Sequence, residues 1–202
     1  MDATTDWFAP VTLVGQHVVL EPLEHGHLGG LIANCVGDPE VFRWVWPYEM
    51  ADAAHMQRVL DLALDDAARG TRIPFAQVRT SDGAVIGSTS YLDLSVEDRH
   101  LEIGWTFLAS SAWRTAVNTE AKLLLLTQAF DALDCERVSF KTDHMNARSQ
   151  RAIERLGAQR EGVLRHLKLR ADGSWRDTVY YSILRGEWPE VRDGLNAALT
   201  QH

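Results

Sequence analysis

The sequence predicts an α/β fold of the α+β kind: a mixed, mostly antiparallel central sheet flanked by helices on both faces. Three observations point there. Strand-like and helix-like segments follow the order β-α-α-β-β-β-α-β-α-β-β along 202 residues. Two turn signals, Ser81-Asp82-Gly83 and Ala171-Asp172-Gly173, each join two strands as a hairpin. Leu123 to Leu126 are four consecutive leucines in one helix, and a helix that apolar lies between the sheet and another layer.

The elements follow in order. Val11–Pro22 holds two β-favouring runs around Gly15. Glu24–Val36 reads as a helix with Leu28, Leu31 and Ile32 inward, weakened by Gly29-Gly30. Asp52–Arg69 keeps helical spacing at Met56, Val59, Leu60, Ala63 and Leu64, and Gly70 ends it. Ile73–Arg79 and Ala84–Leu92 are the strands of the first hairpin, and His100–Leu108 is a third strand. Glu120–Leu133 is the apolar helix, Arg137–Thr142 a strand, and Ala147–Leu156 an amphipathic helix. Gly162–Arg170 and Ser174–Leu184 form the second hairpin, and a short helix follows Glu187. No linker, repeat or low-complexity segment marks a boundary, so one domain over residues 1–202 is expected.

Composition narrows the function. No apolar run reaches membrane-spanning length, so no membrane partner is expected. The start, Met1 to Asp6, has neither the basic nor the apolar part of a signal peptide. Cys35 and Cys135 form no C-x-x-C pair, which fits a reduced, cytoplasmic protein. A net charge of −8 disfavours direct nucleic-acid binding and is compatible with a cationic acceptor, such as an amine or a basic peptide. The histidines lack paired ligand spacing, so no metal is expected.

Chemistry concentrates between Leu101 and Gly157. A strand leads into a turn, Ala109 to Thr119, and then the apolar helix. The first amides of a helix lack internal partners and carry the positive end of its dipole, so a pyrophosphate can rest there. Arg114 adds a side-chain cation. The competing account is an ordinary capped helix start, with Asn118 or Thr119 as N-cap and Glu120 favourable to the dipole. Glu102, opposite in strand parity to Ile103, Trp105 and Phe107, is the candidate general base, acting through water. A backbone N–H of Gly104–Phe107 is the candidate oxyanion donor. Trp44-Val45-Trp46-Pro47-Tyr48 is a candidate wall for the acceptor. Cys135 reads as core rather than nucleophile.

Several words of this sequence, weak singly but specific in their order, resemble one family. They are Leu101-Glu102-Ile103-Gly104-Trp105, Asn118-Thr119-Glu120-Ala121-Lys122 with the leucine run, and Arg137-Val138-Ser139-Phe140-Lys141-Thr142. Then come Asn146-Ala147-Arg148-Ser149, Leu156-Gly157-Ala158, Glu161-Gly162-Val163-Leu164-Arg165, Asp172-Gly173 and Arg176-Asp177. Together they resemble the GCN5-related N-acetyltransferases (GNAT), and within them the RimJ/RimL branch that acetylates ribosomal-protein N-termini. The resemblance covers nearly the whole chain and is strongest from Leu101 to Trp188.

The resemblance implies a GNAT-like acyl-CoA N-acyltransferase fold. It implies direct transfer of acetyl from acetyl-CoA to a primary amine, here a protein N-terminal α-amine, with the N-terminus of a ribosomal or other basic protein as partner. A small amine, such as an antibiotic or polyamine, is the second acceptor class; a non-catalytic acyl-CoA-binding protein on the same fold is the third reading. Trp113, Arg114, Thr115, Ala116, Val117, Asn118 and Thr119 fall on the family's pyrophosphate loop, with Ala116 and Asn118 in the places of its glycines. Phe107 and Leu108 fall where backbone meets the pantetheine arm, as do Asn146 and Ser149. The family's tyrosine acid is replaced by Ile153. RimL-type relatives place the acid at the position of Ser149, with a downstream Glu that here is Lys168. Acyl-chain preference and oligomeric state are not written in these words.

Overall fold

A computed structural model describes residues 6–44, 52–170 and 172–201. Eight strands form one sheet: β1 (Leu13–Val14), β2 (Val18–Pro22), β3 (Arg72–Arg79), β4 (Val85–Ser95), β5 (His100–Leu108), β6 (Arg137–Asp143), β7 (Gln159–Leu169) and β8 (Trp175–Leu184). Their spatial order is β1-β2-β3-β4-β5-β6-β8-β7. Every neighbouring pair is antiparallel except β5 with β6. The expected mixed, mostly antiparallel sheet is therefore the one observed.

Among the described residues six α-helices flank it: α1 (Leu28–Cys35), α2 (Pro39–Phe42), α3 (Ala53–Ala68), α4 (Ala116–Thr127), α5 (Ala147–Arg155) and α6 (Trp188–Leu199). On one face Tyr91 of β4 donates its hydroxyl to the Leu125 carbonyl of α4 at 2.6 Å, and Tyr181 of β8 reaches Glu154 of α5 at 3.0 Å. On the other, α1 packs on β4 and α3 on β3. The leucine run is covered as its composition demands. Leu125 and Leu126 are fully buried, α6 packs on α4, and Trp188 stacks on Phe130 at 5.4 Å.

Where the structure departs from the expected boundaries, local chemistry explains it. The segment expected as one helix over Glu24–Val36 opens as a 3-10 turn, His25–His27, before α1. Gly30 lowers helix propensity, yet a Cβ there would stand 2.8 Å from Val85; the glycine lets α1 approach the sheet. Helix α2 spans four residues, too few for periodicity, and is set by Asp38, whose carboxylate accepts from the Glu40 amide ahead of Pro39 at the helix start. Helix α4 starts at Ala116, four residues before the expected Glu120, because Thr115 caps it. Its far end continues as a π-helical turn, Gln128–Ala132. Both hairpin turns are present: Gly83 and Gly173 have φ of +69° and +82°, while Ala171 lies outside the described residues.

Two features of β5 create the space for a site. First, the β5–β6 ladder ends at Glu102 and Ser139, although β5 runs on to Leu108 and β6 to Asp143. Second, Trp105 has φ +49°, and the β4–β5 register shifts between Ser88 and Ser90. This is a β-bulge, which bends a strand and re-aims its side chains. It corrects the expected parity. Ring packing sets Phe107 against Phe42 of α2 at 5.0 Å, while Thr106 meets Lys122 of α4. Past the bulge, the faces are exchanged relative to a regular strand, so Glu102 no longer faces opposite to Phe107.

Candidate active site

A cavity of about 390 Å³ opens where β5 and β6 part. One end is built by the loop before α4. Trp113 is extended, Arg114 adopts φ +60°, and Thr115 caps the helix, its hydroxyl donating to the Ala112 carbonyl at 2.8 Å. The left-handed residue of this loop is thus Arg114; Ala116 and Asn118, in the places of the family's glycines, are helical. Neither Asn118 nor Thr119 is the N-cap, and Glu120 lies past the first turn. Its buried carboxylate instead accepts the amides of Gln16, His17 and Val18 at 2.6–2.9 Å. It fixes the β1–β2 turn, where any Cβ on Gly15 would collide with it.

Trp113 brings no charge of its own to this loop. Its indole N–H donates to the Leu108 carbonyl at 2.7 Å, and the Arg148 guanidinium stacks 3.9 Å from its ring centre. Arg148 is carried by α5, whose N-cap Asn146 accepts from the Ser149 amide at 3.0 Å. Arg114 in the loop and Arg148, stacked on Trp113, stand beside the N-terminus of α4, and Arg155 at the far end of α5 also lines the cavity. Helix dipole and guanidinium groups together fit a polyphosphate.

The other end is built around Glu102, which is 8% exposed. Its Oε2 lies 2.6 Å from Lys141 Nζ. Burial lifts its pKa above the usual carboxylate value, although Lys141 pulls the other way. The carboxylate folds back over Gly104, where a Cβ would sit 2.9 Å from Oε1. Lys141 also lies 5.0 Å from the Tyr180 ring centre and 3.8 Å from Asp93. Lys168 of β7 and Arg176 of β8, paired in register, line the cavity too.

Behind the bulge lies Lys122, buried at 6% exposure. It donates to the hydroxyls of Thr106 at 3.1 Å and Thr89 at 3.4 Å, and those hydroxyls bond to each other at 2.8 Å. Burial pulls its pKa down to about 7.

Of the residues singled out in the sequence, Glu102 and Ser149 line the same cavity. So do Phe107, Leu108, Trp113, Arg114, Thr115, Asn118, Thr119 and Asn146. Ala116 and Val117 do not; both are buried beneath the loop. The Leu108 carbonyl accepts one hydrogen bond, from the Trp113 indole. Trp44 lines the cavity, while Val45–Tyr48 of the expected aromatic wall lie outside the described residues. Cys135 is fully buried and its thiol is pushed up to about 12, a core residue as expected.

Comparison with known proteins decides the family. The model of the acetyltransferase (GNAT) domain matches residues 17–159. The chain belongs to the GNAT acetyltransferases. It is 35% identical over 107 residues to "Putative ribosomal N-acetyltransferase YdaF" of Bacillus subtilis, covering 53% of this chain and 57% of that protein. A GCN5-related N-acetyltransferase from Brucella melitensis superposes with a TM-score of 0.87 at 29% identity, covering 95% of this chain and 86% of that one. RimJ of Mycobacterium smegmatis, solved in complex with CoA-disulfide, shares the fold at a TM-score of 0.77 and 21% identity, with 95% and 96% covered.

The protein is thus an N-acetyltransferase of a family that takes acetyl-CoA as donor substrate. Some of this acetyltransferase's cavity was missed in the sequence. Arg148 sat inside a quoted motif, and only its stacking on Trp113 singles it out. Lys122 also sat in a quoted motif, and its burial shows only in three dimensions. Lys141 and Arg176 were given no role, because strand periodicity does not reveal which neighbour a charge meets. Lys168 and Ile153 both line the cavity.

Proposed function

We propose that this acetyltransferase moves the acetyl group of acetyl-CoA directly to a protein N-terminal α-amine of the ribosomal-protein type. One observation carries the reading: a single cavity joins the cationic loop at α4 to a buried carboxylate where β5 and β6 part. The ribosomal name of YdaF supports the acceptor class.

Each end has its part. Arg114, Arg148, Arg155 and the α4 amides hold the donor's phosphates. The free edge of β5 beyond Glu102 faces its arm. The amine must be neutral to attack, and an α-amine titrates near ~8. Glu102 takes its proton, directly or through one water; burial makes this carboxylate a stronger base than an exposed one. A backbone N–H between Gly104 and Phe107 donates to the developing oxyanion. The new N–C bond forms as the C–S bond breaks; the nitrogen gives up its second proton to the Ser149 oxygen as the Ser149 hydroxyl passes its own proton to the leaving thiolate, so serine ends unchanged. Holding both substrates in one cleft supplies much of the rate.

The test is acetyl-CoA-dependent release of free thiol with a panel of N-terminal peptides and simple polyamines. Faster release with peptides supports the reading. Release with polyamines alone moves the acceptor to small amines. Binding of acetyl-CoA without release on any amine would leave a binding protein.

A further inference from the structure

We infer that the acceptor carries a carboxylate close to its reacting amine, held by Lys168 and Arg176. This deepens the reading above and rests on Glu102 marking the acceptor end of the cavity.

The argument begins with where the cations lie. The chain as a whole is acidic, at −8, yet Glu102 is the one carboxylate residue lining this cavity among the described residues. Its basic residues fall into two groups, with Lys122 set apart behind the bulge. Arg114 and Arg148 stand beside the α4 N-terminus, where donor phosphates rest on the reading above, and Arg155 follows on α5. Lys141, Lys168 and Arg176 stand at the far end, on β6, β7 and β8. No donor phosphate reaches that end, because the thioester must meet the amine between the two groups. Glu102 attracts all three, but one carboxylate among three cations leaves positive charge for a further anion.

Register places this second group on one sheet face. Glu102 pairs with Ser139, and Lys141 stands two residues on. Lys141 pairs with Tyr180, and Arg176 lies two same-face positions along β8, paired with Lys168. Lys141 is engaged by Glu102 at 2.6 Å. Arg176 approaches Asp143 only at 4.0 Å, and Asp143 is already gripped by both ends of the Arg170 guanidinium at 2.9 Å. The Arg176 Nε is buried without a hydrogen bond. Lys168 and Arg176 also repel one another, and Lys141 repels Lys168; these repulsions add to burial in pulling Lys168 below its usual pKa. Asp93 lies beyond Lys141 and is exposed; Asp177 accepts from the His166 amide. An anion entering beside Glu102 would relieve the repulsion. A basic acceptor would meet like charge there, so the chain's overall acidity does not set the acceptor's sign.

The carboxylate has two possible sources, a side chain of an N-terminal peptide or the α-carboxylate of a free amino acid. The experiment separates them. C-terminally amidated peptides beginning Ser-Glu, Ser-Gln and Ser-Lys are compared with serine and serinamide, using full-length enzyme and acetyl-CoA. The expected result is kcat/KM at least about tenfold higher for Ser-Glu than for Ser-Lys, or for serine than for serinamide, the effect of one charge-assisted hydrogen bond. In Lys168→Glu the order of Ser-Glu and Ser-Lys should reverse. Lys168 is exposed, so this variant should fold, which circular dichroism checks. Equal rates on all acceptors, or an unchanged order in Lys168→Glu, overturn the inference and leave the transferase standing. Turnover on none of them overturns both.

Discussion

Replacing Lys122 by methionine is expected to stabilise the protein at neutral pH and below, and to do so less as pH rises. The amine is buried behind the β5 bulge, with two threonine hydroxyls as hydrogen-bond acceptors and no carboxylate paired with it among the described residues. Burial lowers its pKa from 10.5 to about 7. At ~1.4 kcal/mol per unit, charging it in the folded state costs about 5 kcal/mol more than in the unfolded chain. Below pH 7 both states hold the proton and the folded state bears the full cost. Between pH 7 and 10.5 the unfolded chain binds a proton that the folded one does not, so wild-type stability rises with pH. Above about 10.5 the cost is gone. Methionine has similar length and does not titrate, but it forfeits the two hydrogen bonds, each worth ~1 kcal/mol. The variant should therefore lead by about 3 kcal/mol at pH 6.5, and the lead should vanish or reverse by pH 10. Urea unfolding of both proteins across that range measures it. A difference that does not change with pH would refute a neutral amine at this position.

Three further outcomes follow from the site. Glu102→Gln should lower kcat by roughly 10²-fold or more, the usual contribution of a general base. The wild-type acid limb in kcat/KM against pH should lie above the ordinary carboxylate range, since burial raises Glu102, and should be lost in the variant. Gly104→Ala should mimic this loss with the fold intact, because the new Cβ would sit 2.9 Å from Glu102 Oε1 and push the carboxylate aside; kcat and circular dichroism together check it. Arg148→Ala should raise KM for acetyl-CoA by about tenfold, as expected for losing one charge-assisted contact, while kcat changes little.

The fold was legible wherever a segment was long enough to show its period. Helix α3 kept its buried Met56, Val59, Leu60 and Ala63, and the Gly83 turn kept its hairpin. Short or capped features were not. Four residues of α2 carry less than two helical turns, and the start of α4 was fixed by a Thr115 hydroxyl within a segment that read as loop. The β5 bulge was marked in the sequence only by Gly104 inside the strand, while the positive φ falls on Trp105 beside it, with Arg72 stacked 4.9 Å from its ring centre.

The same contrast runs through the site and explains the division of its labour. Residues that act through backbone position, such as Asn146 and the loop from Trp113 to Thr119, sit in contiguous words, so their order in sequence carries their geometry. Residues that act through charge come from separate strands and meet only across the sheet. Lys141 faces Glu102 because β6 runs parallel to β5, and Arg176 faces Lys168 because β7 and β8 form a hairpin. The contiguous words surround the donor, which is common to the family, while the scattered charges surround the acceptor. A chain of this family can therefore keep its donor loop and change its acceptor by single substitutions on β6, β7 and β8. Lys168 is the exposed member of the second cationic group, and on the inference above a reversal of its charge reverses the charge of the acceptor selected.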